Sequence, residues 1–336
     1  MTTPSPYAKS GLSEIDIDLA LLNRMLLIRR FEERVGDLFK KNKLPGFVHL
    51  CIGQEASAVG VCSALRIDDY ITSTHRGHGH VIAKGGDPKF MMAELFGKST
   101  GYCGGKGGSM HITDMSIGML GANGIVSGGL PIAVGAAYGA KQLRKTDQVV
   151  VAFFGDGATN EGPFHEALNM AAAWKLPVVF ACENNLYGCG TRLDRVSPTS
   201  DLTERARGYS MRSISVDGND VIATRTAALE AVSEARSGNG PTFLECRTFR
   251  HHGHYEGETP SYLSKEERDY WFARDPIDLF KALMLSTNQI NEDSYKSLDL
   301  EVRQIVDEAV EFAEGSPEPD LAAALTDVFA GSGETL

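Results

Sequence analysis

Two short polar stretches carry the strongest chemical signal in this chain. One is Gly155-Asp156-Gly157; the other, one helix and one strand further on, is Asn184-Asn185. Each ends an apolar run, Val149-Val-Val-Ala-Phe-Phe154 and Leu176-Pro-Val-Val-Phe-Ala-Cys182, and a helix-like stretch lies between them. The pattern reads as strand, tight glycine turn, helix, strand. Both polar ends then fall at the carboxyl edges of neighbouring parallel strands, where open α/β sheets place their ligands. A carboxylate and an amide oxygen meeting there, beside the start of a helix, suit Mg2+ and a diphosphate. Taken singly, Gly-Asp-Gly and Asn-Asn are most simply turn dipeptides. Their joint occurrence across one β-α-β unit favours the ligand reading.

Two other phosphate signatures fail. Gly97-Lys-Ser-Thr100 has the end of a P-loop, but Met92 stands where its first glycine belongs. Gly155-Asp-Gly-Ala-Thr-Asn160 begins like a dinucleotide fingerprint, but Asn160 replaces the third glycine. An aspartate inside that turn would also repel a pyrophosphate unless a cation intervened.

The histidines form two runs, His75-Arg-Gly-His-Gly-His80 and His251-His-Gly-His254. Six imidazoles could supply a zinc cluster. No H-E-x-x-H occurs, however, and each run follows a strand in a loop with glycine and arginine. Such placement suits proton transfer and phosphate contact better than a closed metal cage, with one or two of the rings ordinary hydrogen-bonding groups.

The elements that must position these residues are legible in outline. Ser13 is placed to cap a helix over residues 14–41, in which Leu22, Met25, Leu26, Phe31, Val35 and Leu38 recur at helical spacing. Gly53 to Gly60 opens a second helix, and residues 69–74 form a short strand feeding the first histidine run. Residues 97–129 are dense in glycine, yet Met, His, Ile, Leu and Val interleave with it, which suits an ordered loop close to a ligand better than a linker. A small-residue helix over 128–144 follows, then a polar loop over 187–207, a strand near 213–216, a helix over 220–236 and a strand over 241–249. The remainder from residue 264 is helical and acidic. The expected fold class is α/β: a mostly parallel sheet with helices on both faces and helical additions at both ends. Residues 1–45 form a tail and helix, 46–262 the α/β domain, and 263–336 a helical region packed on it.

Composition narrows the class further. The 336 residues carry a net charge of −11 with no basic block, which argues against nucleic acid and anionic membrane surfaces as partners. No apolar run approaches the ~20 residues of a membrane span. Residues 1–10 have neither an apolar targeting core nor an arginine-rich amphipathic pattern, so a cytoplasmic tail is expected. Six cysteines, at 51, 62, 103, 182, 189 and 246, include no C-x-x-C pair and read as reduced core thiols.

Several motifs occur in one order: Gly46-Phe-Val-His-Leu-Cys-Ile-Gly-Gln-Glu-Ala56, Thr74-His-Arg-Gly-His-Gly79, Gly104 to His111, Gly121-Ala-Asn-Gly-Ile-Val126, Gly155 to Gly162, Glu183-Asn-Asn-Leu-Tyr-Gly188 and His252-Gly-His254. Over residues 20–275 the chain resembles the α subunit of the thiamine diphosphate-dependent first component of 2-oxo acid and acetoin dehydrogenase complexes. The resemblance implies the thiamine diphosphate-binding fold. It implies that Asp156, Asn185 and the Tyr187 carbonyl hold Mg2+ on the diphosphate, with Gly157, Ala158, Arg76 and His254 at the phosphates. His75, which stands where pyruvate-type relatives have tyrosine, would join them in binding the cofactor. Gly124, Ile125 and Val126 would support the cofactor rings, a bulky side chain there keeping the cofactor bent. His49 and His254, with His252 third, would serve substrate chemistry.

The resemblance further implies C–C bond cleavage in a small carbonyl substrate and transfer of the acyl unit to the lipoyl domain of an acyltransferase. It places the cofactor-activating glutamate on a separate β subunit, so an α/β heterotetramer with an exposed apolar face on the lone chain is expected. His252-Gly-His-Tyr-Glu-Gly-Glu258 and Val216-Asp-Gly-Asn-Asp220 point to acetoin ahead of pyruvate and branched-chain 2-oxo acids. Tyr255 replaces a regulatory serine of pyruvate-type relatives and Arg192 stands where another lies, so control by a kinase is not expected.

Overall fold

A computed structural model describes residues 13–327. The reading of residues 1–10 as a cytoplasmic tail therefore lies outside the described residues, as does the end of the region 263–336. Strand β1 (Tyr70–Thr72), β2 (Met119–Gly121), β3 (Val150–Gly155), β4 (Val178–Asn184), β7 (Arg212–Asp217) and β8 (Thr242–Arg247) build one sheet in the order β2-β1-β3-β4-β8-β7. Every pairing in it is parallel. Two-residue strands β5 (Tyr187–Gly188) and β6 (Thr191–Arg192) form a small antiparallel ribbon beside it.

The apolar runs of the sequence explain why the centre of this sheet is dry. In β3 and β4, Val151, Phe153, Val179 and Ala181 face one core, while Val150, Ala152, Phe154, Val178 and Phe180 face another. This is the two-residue alternation of a strand covered on both sides. Helices α1 (Glu14–Lys40), α2 (Glu55–Cys62), α3 (His78–Lys84), α4 (Pro88–Leu95), α8 (Val221–Arg236), α10 (Pro276–Ser286) and α11 (Glu292–Gly315) contribute to the first core. Helices α5 (Gly129–Tyr138), α6 (Gly162–Ala173) and α7 (Thr203–Arg207) contribute to the second. The remaining helix, α9 (Lys265–Phe272), lies over the site end of the sheet, its Trp271 stacked on Phe249. The sheet with helices on both faces is the expected fold class. Helix α1 begins at a capping box formed by Ser13 and Asp16, as the sequence indicates.

Three details depart from the expectation. The small-residue helix ends at Tyr138 and continues as a π-helical turn over Gly139–Arg144, closed by Lys145 at φ +57°. The segment after β3 first makes a 3-10 turn, Asp156–Asn160, and the α-helix starts only at Gly162. Aspartate 156 thus sits in a tight turn rather than on the first turn of an α-helix. The glycine-dense loop is ordered, but by a carboxylate. The fully buried Glu94 accepts backbone N–H bonds from Cys103, Gly105, Gly107 and Gly108 at 2.8–3.0 Å. Four donors on one carboxylate fix this loop at a distance from the cavity described below; only its later part, from Asn123, reaches that cavity.

Candidate active site

The chain leaves β1 to pair β2 on one side, then crosses to β3 on the other, so the strand order reverses between β1 and β3. At the carboxyl ends of β1, β3, β4 and β8 lies a cavity of about 420 Å³. Open parallel sheets bind ligands at such a reversal. Residues His75, Arg76, Ile125, Val126, Asp156, Gly157, Ala158, Asn185, Tyr187 and His254, all anticipated from the sequence, line it together. Gly124 lies between the lining residues Asn123 and Ile125. His49 is one layer back, its ring against those of His75 and His254 at 4.8 and 5.1 Å.

His252, third in the expectation for substrate chemistry, is placed differently from His254. It is not among the cavity residues; its Nδ1 pairs with Glu256 Oε2 at 3.1 Å. Pairing with Glu256, four residues on, holds the His252 ring, while His254 lines the cavity. The reading of all six cysteines as core thiols is corrected. Four are buried, Cys103 is half-buried, and Cys189 is exposed and lines the cavity.

Asp156 is 1% exposed, and its Oδ2 has no hydrogen-bond partner. Burial pushes its carboxyl up to about 6, only partly offset by backbone hydrogen bonds at residues 156 and 185. A carboxylate taken from water and left half-bonded calls for a cation. The Asn185 amide lies on the same side: its Nδ2 donates to Gln54 Oε1 at 3.2 Å, and its Oδ1 accepts from Tyr187 N at 3.2 Å. One carboxylate, one amide oxygen and the Tyr187 carbonyl form a hard-oxygen set, the chemistry Mg2+ prefers. The residues present fit the ion.

Backbone strain concentrates here. Leu186 and Cys189, flanking Tyr187, take φ +72° and +56°, and Ser127, beside Val126, takes +65°. Three non-glycine residues in the left-handed region around one cavity fit a site held in shape by its surroundings. Two glycines let the segments meet. A Cβ on Gly157 would stand 3.2 Å from the Gly188 Cα, and one on Gly188 would stand 3.3 Å from the Gly157 Cα. Side chains there would push the Tyr187 loop away from Asp156.

Two buried guanidiniums face the cavity with carbonyls, not carboxylates, as partners. Arg76 donates to Leu50 O (2.6 Å) and His254 O (3.0 Å). Burial and the nearby Arg250 lower it to about 10. Arg250 donates to the Tyr187 and Cys189 carbonyls and to the Tyr262 hydroxyl. Uncompensated positive charge of this kind suits an anionic ligand. Arg250, Gln54, Asn123, Ser127 and Glu183 also line the cavity and were not singled out from sequence. Gln54, Asn123 and Glu183 lie inside quoted motifs and Arg250 directly precedes the second histidine run; for Ser127 no sequence signal exists, since its distinction is a backbone angle.

The other histidines are structural. His78 Nδ1 pairs with Glu32 at 2.9 Å and its Nε2 with Ser109 Oγ at 2.9 Å. The second carboxylate oxygen of Glu32 accepts the Cys51 N–H. This buried relay ties α1, the His49 segment and the glycine-dense loop together. His80 joins Ser73 to Glu183 and stacks on Phe153, and His251 stacks on Phe272 beside Asp275.

A dry carboxylate–amide–carbonyl corner, two guanidiniums without carboxylate partners and a group of imidazoles at a sheet reversal together suit an anionic ligand. The chain belongs to the dehydrogenase E1 component family, whose profile matches residues 23–322, and is an oxidoreductase of that family. It is 50% identical over 312 residues to the alpha subunit of acetoin:2,6-dichlorophenolindophenol oxidoreductase of Bacillus subtilis (strain 168), covering 93% of each chain. The Cupriavidus necator protein of the same name is 44% identical, again over 93% of each. The pyruvate dehydrogenase E1 component subunit alpha of Rhizobium meliloti (strain 1021) is 42% identical over 93% of this chain and 90% of its own. The family implies thiamine diphosphate as cofactor. No helix among the described residues is long and apolar enough to cross a membrane.

Proposed function

We propose that this chain is the α subunit of an acetoin-cleaving dehydrogenase first component, working in the cytoplasm with a β subunit and a lipoyl-bearing acyltransferase. The observation that carries the cofactor assignment is the buried, half-bonded Asp156 carboxylate. Asp156, Asn185 and the Tyr187 carbonyl would hold Mg2+; Gly157, Ala158, Arg76 and His254 would hold the phosphates. Thiamine diphosphate, when bound, supplies a thiazolium carbon that stabilises a carbanion. The chain's own residues bind and orient it, and Ile125 and Val126 shape its ring end. His254 and His49 would take and return protons at the substrate oxygens.

Three facts support the acetoin and β-subunit readings. Two relatives named for acetoin are 50% and 44% identical. Burial, with Arg76 second, lowers His49 and His75 to about 3 and about 2, and His254 to about 4. Neutral imidazoles offer hydrogen bonds without a countercharge, which suits an uncharged hydroxyketone better than a 2-oxo carboxylate. The ring end of the cavity is open, with Ile125 73% and Val126 49% exposed. Nearby Ile132, Tyr138 and Trp174 are exposed apolar groups that a β subunit would cover. Pyruvate is the second reading, favoured by the Rhizobium meliloti relative.

Dye reduction by the chain co-expressed with its β subunit, with acetoin, pyruvate and a branched 2-oxo acid side by side, tests both. The expected outcome is turnover of acetoin that requires thiamine diphosphate and Mg2+. Preferential turnover of pyruvate would move the chain to the second reading, and cofactor-independent turnover would sink the mechanism.

A further inference from the structure

Three imidazoles from three separate segments meet at one end of the cavity: His49 before α2, His75 after β1 and His254 after β8. Their ring centroids are 4.8, 5.1 and 5.2 Å apart, and one nitrogen from each lies within 4.8 Å of the others. His49 is 8% exposed, and the Nδ1 atoms of His49 and His254 are buried with no hydrogen-bond partner. A buried ring nitrogen without a partner carries its full desolvation cost. Two of the three rings in this cluster carry such a nitrogen.

We propose that His49, His75 and His254 bind a borderline-soft divalent transition-metal ion, such as Zn2+ or Co2+, at a site separate from the oxygen ligands at Asp156 and Asn185. Three imidazoles with a fourth position open are a familiar zinc set, whereas Mg2+ takes oxygen ligands. Zinc–nitrogen bonds of about 2.0–2.1 Å place tetrahedral nitrogens about 3.4 Å apart, so the rings must close by roughly 1.5 Å. None of the three rings has a side-chain hydrogen bond among the described residues that this movement would break. The same lack of partners removes the carboxylates that usually strengthen zinc-bound imidazoles. The ion is therefore a reversible visitor, and because His75 and His254 line the cavity it obstructs that end.

The test is a titration of the full-length chain, stripped of metal and without cofactor. Co2+ binding is followed by visible absorption and Zn2+ binding by calorimetry. One ion per chain with the intense bands of tetrahedral Co2+ is expected. His75→Tyr should weaken binding by at least about tenfold, the scale on which even outer partners of a metal site act. Two variants should bind like the parent: Asp156→Asn, which alters the oxygen set, and His165→Asn, whose ring bonds the Tyr209 hydroxyl at the surface. Circular dichroism checks each fold, and His254→Asn carries the comparison if His75→Tyr does not fold. Undiminished binding by the folded cavity variant, weak octahedral bands, or loss of binding in Asp156→Asn would overturn the site.

Discussion

His75 and His78 are three residues apart and live in opposite kinds of surroundings. His78 is fully buried, and both its ring nitrogens are bonded, one to Glu32 and one to Ser109. His75 packs edge-on against two other imidazoles and has no side-chain hydrogen bond among the described residues. The same contrast separates two acids. Glu32 accepts from His78 and Cys51; burial alone would raise it, but His78 and these bonds hold it below the usual carboxylate value. Asp156 is left half-bonded and is pushed up. In these two pairs the satisfied group belongs to the frame and the unsatisfied one lines the cavity. Satisfaction, more than residue type, tells scaffold from site here.

The largest expected effect breaks the frame. His78→Ala leaves Glu32 buried without its partner and should cost about 3–5 kcal/mol, read from chemical denaturation. An unchanged midpoint would show that the relay holds nothing. The opposite sign is expected at Asp156. Its folded value near 6 lies above the ordinary 3.8, so the contribution of this one group to stability is most favourable below pH 4 and is lost as the pH rises to 6. At pH 7 the penalty is up to about 3 kcal/mol. Asp156→Asn should therefore raise the cofactor-free melting temperature at pH 7, leave it nearly unchanged at pH 4, and abolish Mg2+-dependent cofactor binding. A lower melting temperature at pH 7 would mean the carboxylate is structurally satisfied after all.

His254→Asn sharpens the contrast between the imidazole groups. It should move stability by less than about 1 kcal/mol while lowering turnover of the α/β enzyme by about 10²–10⁴-fold, the usual scale of lost acid–base help. Equal losses in His254→Asn and His78→Ala would erase the distinction. The smallest effect is at Ser127, whose hydroxyl is buried and unbonded and whose φ is +65°. Ser127→Gly relieves the strained angle and should stabilise by under about 1 kcal/mol, seen as a small rise in melting temperature.

The β3-turn-α6-β4 unit was legible because its strands are continuous apolar runs, buried on both faces and punctuated by Gly-Asp-Gly and Asn-Asn. Most of the lining residues followed from that unit and from the motif resemblance. The sorting of the histidines did not. Runs such as His75 to His80 show six imidazoles but not which find partners, because the partners come from far along the chain: Glu32 from α1, Glu183 from β4 and Asp275 at the start of α10. His49, outside both runs, joins the unpartnered group only through packing. The strained angles at Ser127, Leu186 and Cys189 were equally hidden, since no residue type there demands a positive φ.

The sequence by itself determined the parallel α/β class, the family and the placing of Asp156 and Asn185 at the ends of neighbouring strands, because these rest on local patterns: apolar runs, turn residues and short motifs. Only the tertiary structure decided which buried polar groups are left unsatisfied. It paired His252 with Glu256, packed His49 behind His75 and His254, and set Gly157 against Gly188 so that the Tyr187 loop could close on Asp156. Hydrogen-bond satisfaction is a property of the whole packed interior, and no window of the chain contains it.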